Sequence, residues 1–129
     1  THREKALAAA EQKAANRLTE AERKAAVKRA AQMLAEKTAH FAKEMGVTYG
    51  RITIREQKTR WGSCSSAGNL NYNWKLVLMP ERVMDYVVIH ELAHQKEMNH
   101  SARFYAVVAQ QMPDYKVWQS WLKEHGREY

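Results

Sequence analysis

The chain has 129 residues, which suits one domain around one core. Its 45% hydrophobic and 27% charged residues exclude wholesale disorder, and no stretch is apolar for long enough to span a bilayer. The formal net charge is +7, with ten Lys/Arg against six Glu in residues 1–45 and eleven against eight acids in the rest. An excess spread this way can favour anionic partners, nucleic acid among them, and by default is a solvated surface.

Residues 1–45 are rich in Ala, Glu, Lys and Arg and contain neither Pro nor Gly, which favours helix. Thr19-Glu20-Ala21-Glu22 reads as a capping box, so a break is predicted near Leu18. A helix from about Glu20 to Met45 would end at Gly46, with Ala30, Leu34, Thr38, Phe41 and Met45 on one stripe. The segment before Thr19 has only Leu7 and Leu18 as large apolar anchors, so a helix there must lean on something else. Arg51–Arg55 alternates with period two and reads as a strand. Arg60–Cys64 suits a second strand, Ser65–Asn69 a turn, and Leu70, Tyr72 and Trp74 alternate as a third. Together they predict a small antiparallel sheet of about three strands.

Pro80 suits the first turn of a helix that should run to about Met98, apolar round most of its circumference and therefore buried. Ser101 can cap another helix, and Asp114, after the Pro113 break, a last one ending near Gly126. The fold class is thus α+β. The expected organisation is one compact domain: an Ala-rich helical segment, 1–45, packing on a core of residues 46–129. The single cysteine, Cys64, excludes an internal disulfide and favours a cytoplasmic location. A lone Cys in a strand is by default a small buried residue. No signal peptide is visible, but the chain begins with Thr1 rather than Met, so an upstream segment or a processed start is expected.

His90-Glu-Leu-Ala-His94 lies in the buried helix. Residues four apart point the same way, so the two imidazoles can grip one ion while Glu91 flanks them. A catalytic zinc site needs three protein ligands and an open position. His100 can supply the third if the chain turns back, and Asn99, which tolerates the left-handed conformation, is suited to that turn. Two histidines four apart on a helix can also be ordinary surface or core residues. A buried Glu with two His is costly without a partner, however, and a metal supplies one. His40 and His125 lie near helix ends, where positive charge is favoured, and lack ligand spacing.

These segments resemble a known family. Arg60-Trp-Gly-Ser-Cys-Ser65, Asn69-Leu-Asn-Tyr-Asn-Trp74, His90–His94 and Asn99-His-Ser101 with Phe104-Tyr105 look like the YgjP-like family of metal-dependent hydrolases. More distantly they are similar to SprT-like and WLM-type zinc metallopeptidases. The resemblance covers about Tyr49 to Gly126 and implies a zincin-like fold, one Zn²⁺ on His90, His94 and His100, and Glu91 as the catalytic residue. Tyr105 stands where Trp is common. Members usually carry further β structure upstream, so the chain looks like the C-terminal, catalytic portion of a longer protein.

Peptide-bond hydrolysis is the leading expectation, with a metal-activated water and Glu91 as general base. An extended peptide could add to the Arg60–Cys64 strand if that strand is an edge. Lys58, Arg60, Trp61, Asn71, Tyr72 and Asn73 are candidate substrate-binding residues. Arg60, Asn71, Tyr72 and Asn73 are also candidates to stabilise an oxyanion. The plainer reading of Lys58 and Arg60 is a solvated strand face, and of Trp61 core packing. A second expectation is a nucleoside triphosphate pyrophosphatase, with Arg51, Arg55, Lys58 and Arg60 on the phosphates. No carboxylate cluster of the kind that holds Mg²⁺ accompanies them. A third is a DNA-associated protease or binding module.

Overall fold

The computed structural model describes residues 18–57 and 60–129. The expected helix before Thr19, and Lys58, lie outside them. Helix α1 spans Glu20–Met45. It starts on the predicted capping box, with Thr19 Oγ1 accepting from the Glu22 amide and the Glu22 carboxylate accepting from the Thr19 amide. It stops at Gly46, whose φ of 69° is the left-handed conformation that glycine adopts at least cost. Its buried stripe is Ala26, Ala30, Leu34, Thr38, Ala42 and Met45; Phe41 sits half-buried at its margin.

The three strands are β1 (Ile52–Arg55), β2 (Gly62–Cys64) and β3 (Leu70–Asn73). The sheet is mixed, which corrects the expectation of an antiparallel one. β3 lies in the middle, antiparallel to β2 but parallel to β1. The reason is topological. β2 and β3 are joined by the short Ser65–Gly68 turn and must run in opposite directions. The chain after β1 carries β2 beyond the place that β3 then fills. Leu70 and Tyr72 are buried, and the Tyr72 hydroxyl meets Thr38 Oγ1 at 3.0 Å, fastening the sheet to α1.

Trp74 does not continue β3. It opens a 3-10 helix, Trp74–Leu78, capped by the Asn73 side chain, which accepts from the Lys75 amide. Helix α2 (Glu81–Ala93) then crosses the centre of the molecule, packed on α1, β2, α3 (Ala102–Gln111) and α4 (Tyr115–His125). Ten of its 13 residues are buried. The one buried acid away from the site, Asp85, accepts from Lys37 Nζ at 2.7 Å, which ties α2 to α1.

α2 ends at Ala93, several residues short of the expected Met98. Residues 94–96 form turns instead. There the Gln95 side chain donates to the Gly68 carbonyl, and His94 Nδ1 lies 3.2 Å from the Glu97 carbonyl. Tertiary contacts thus unwind a segment whose residues favour helix. Asn99 is not left-handed: among the described residues only glycines have positive φ. Because the helix stops early, the reversal is spread over several residues and needs no sharp break. Ser101 caps α3 through its hydroxyl, which accepts from the Phe104 amide. Asp114 precedes α4 without a side-chain cap bond; its carboxylate accepts from Trp118 and Arg82 instead. Among the described residues no helix is long and apolar enough to cross a membrane.

Candidate metal centre

The last turn of α2 carries His90 and Glu91, and His94 forms its C-cap. The connector delivers His100 to the same place just before the cap of α3. The three imidazoles face one another through Nε2. His100 Nε2 lies 3.2 Å from His90 Nε2 and 3.2 Å from His94 Nε2, and one ligand atom from each residue falls within 4.8 Å of the others. A tetrahedral ion about 2.0–2.1 Å from each nitrogen would hold neighbouring nitrogens about 3.3 Å apart, close to this spacing.

The ring protons are placed to suit. The Glu97 carbonyl can only accept, so His94 Nδ1 carries the proton and His94 Nε2 keeps its lone pair. His90 Nδ1 is 3.4 Å from the Tyr86 hydroxyl, one turn earlier on α2. Burial, with the neighbouring imidazoles adding to it, holds His90 down at about 4. Burial also lowers His94, against the opposing bond from the Glu97 carbonyl. Neutral imidazoles are the form that ligates a metal, so these residues fit a divalent ion of the zinc class.

Glu91 is 6% exposed, and its Oε1 lies 4.0 Å from His94 Nε2. Burial pushes its carboxyl up to about 8, with the Arg60 charge pulling weakly the other way. It sits beneath β2. A Cβ added at Gly62 would stand 3.0 Å from Glu91 Oε2 and 3.1 Å from Val87 Cγ1, so any side chain there would press on both neighbours.

The histidines and Glu91 open on a cleft of about 470 Å³ between β2 and α2. Of the sequence-derived substrate candidates, Arg60 and Trp61 line it. Asn71, Tyr72 and Asn73 do not, because each serves a neighbour. Asn71 accepts from Arg55 and donates to Ser63, Tyr72 is 1% exposed, and Asn73 donates to the carbonyls of Gln57 and Arg60. Lys58 is outside the described residues. Arg51 and Arg55 belong to the β1 side of the sheet, across β3 from the cleft, so Arg60 alone of that basic group reaches it among the described residues. Cys64 also lines the cleft, but burial and the Glu91 charge push its thiol up, away from the thiolate a nucleophile needs.

The sequence reading missed Tyr86, Ser63 and Leu122, which line the cleft. Tyr86 was findable: it stands four residues before His90, on the same face of the helix. Leu122 comes from α4 and leaves no local signal.

The fold is similar to those of two solved metallopeptidase zymogens. The metallopeptidase zymogen of Pyrococcus abyssi abylysin superposes with a TM-score of 0.64 at 24% identity, covering 73% of this chain and 96% of that one. The zymogen of Methanocaldococcus jannaschii jannalysin gives 0.54 at 19% identity, with 65% and 90% covered. No curated protein matches the sequence. The profile of the YgjP-like metallopeptidase domain matches residues 1–125. The chain therefore belongs to the YgjP-like metallopeptidase family and is a metal-dependent hydrolase.

Proposed function

We propose that the chain is a zinc-dependent peptidase, with one ion held by the Nε2 atoms of His90, His94 and His100 and with Glu91 as general base. The observation that carries this reading is the convergence of three Nε2 atoms, 3.2 Å apart in two pairs, beside a buried carboxyl at 4.0 Å. When bound, the ion supplies Lewis-acid polarisation of the scissile carbonyl and acidifies water.

The chain's own residues do the rest. Glu91 Oε1 accepts the proton of the attacking water and passes it to the leaving amine. A divalent charge beside it would favour the carboxylate, the form that a base needs. Tyr86 and the Glu97 carbonyl fix two of the imidazoles through Nδ1. Among the described residues β2 is the sheet edge beside the cleft, and an extended peptide can pair with its outer side. Among the described residues Arg60 is the cation that lines the cleft, available for developing negative charge.

In this reading residues 46–129 supply the hydrolase core and α1 braces it. Protein purified without added zinc should contain about one equivalent of metal, lost in His94→Ala. Glu91→Gln should keep the metal and lose turnover on a casein-type substrate by about 10²–10⁴-fold. A metal-free wild type would sink the site. Hydrolysis of nucleoside triphosphates but not of peptides would replace the substrate class.

A further inference from the structure

The first turn of α3 places a second group against the triad. Phe104 is fully buried, and its ring centroid lies 4.8 Å from that of His90, 4.5 Å from His94 and 5.0 Å from His100. It meets His90 and His100 edge-on and stacks on His94. It is 0% exposed and is not among the residues that line the cleft. Ser101 ties it in place by accepting from its amide, and His100 is the residue next to Ser101. His94 and His90 each have an Nδ1 partner. Among the described residues the polar contacts of His100 are the Nε2 atoms of the other two histidines. Its ring is otherwise oriented by Phe104 and, at 6.3 Å, by Tyr105.

We infer that Phe104 is a positioning residue for the metal: an aromatic floor that limits the rotamers of all three imidazoles and keeps water from beneath them. The inference rests on the reading of His90, His94 and His100 as the ligands. Three independent side chains would otherwise be ordered at the moment an ion binds. A single rigid ring in contact with each orders them beforehand. The competing account makes Phe104 an ordinary core residue, whose truncation weakens the fold and nothing else.

The two accounts separate when Phe104→Leu is set against Val108→Ala, a fully buried site one turn further along the same helix. Zn²⁺ affinity is measured by competition with a chromophoric chelator, alongside the melting temperature of the metal-free proteins and the visible spectrum of the Co²⁺ forms. Phe104→Leu should bind Zn²⁺ on the order of 10–100-fold more weakly and show an altered Co²⁺ spectrum. Val108→Ala should melt earlier yet bind as wild type does. Wild-type affinity in Phe104→Leu, or an equal loss of affinity in both variants, would overturn the inference while leaving the triad intact. Phe104→Met gives the same comparison should the leucine variant not fold. A wild type that takes up no Zn²⁺ would instead overturn the triad reading, and this inference with it.

Discussion

Gly62 and Glu91 show how little room the site leaves for error. The strand rests on the carboxyl, and an alanine Cβ would meet both Glu91 Oε2 and Val87 at a separation few real side chains tolerate. One of the neighbours must give by a few tenths of an ångström. On the proposed reading this carboxyl takes a proton from the reacting water, and such a group is sensitive to displacement on that scale, since about 1 Å costs on the order of 10²-fold. Gly62→Ala should therefore lower kcat by roughly tenfold or more with metal content unchanged. Parallel metal analysis and steady-state kinetics check this. Unaltered kcat, or loss of the ion, would show that Gly62 does not act through Glu91.

Among the elements, the connector between α2 and α3 has the most to hold. Ser101 caps α3 and stands between His100 and the turn that carries Phe104. Ser101→Ala should cost about 1 kcal/mol through the lost cap. If Zn²⁺ binds as proposed, the change should also shrink the rise in melting temperature at saturating Zn²⁺, because His100, the proposed third ligand, is less well held. Melting curves with and without metal test both parts. An undiminished rise would separate the cap from the ligand. The sequence spoke clearly where the signal is local: the Thr19–Glu22 box, the Gly46 stop and the His90/His94 spacing each dictate geometry within a few residues. It was silent where a distant partner decides. Alternation in β3 says which residues share a face, but not that β1 would pair with it in parallel. Nothing within Gln95–Met98 announces that Gln95 will bond to the 68 carbonyl and end the helix. Asn71 and Asn73 look like residues free to meet a substrate, and only the assembled sheet occupies them with Arg55, Ser63 and the loop after β1.

At the scale of the whole molecule, α1 is joined to the rest by a few polar contacts over an apolar seam. Glu56 is one of them, accepting from the Trp74 indole at 2.9 Å and from Arg23. The Trp74 bond, helped by Arg23 and Lys75 against partial desolvation, holds its carboxyl below the usual carboxylate range. A group lowered by folding stabilises the native state above its unfolded pKa. That contribution fades as pH falls through the lower, folded value. Thermal stability should thus decline on the acid side below about pH 4.5, and Glu56→Gln should flatten that decline while lowering stability near neutrality. Melting temperature across the acid range measures it; an unchanged profile in the variant would assign the acid limb to other carboxylates.

The shortness of β2 has a consequence for the protein's life in solution. A sheet edge is a template for any extended chain, including the edge of a second copy, and long free edges invite stacking into aggregates. Here the edge is three residues long, and among the described residues no strand covers its outer side. Three residues offer too few backbone bonds to hold a partner by themselves. On the proposed reading lasting capture must then come from side chains fitting the cleft, and the same brevity makes the edge a poor template for a second copy.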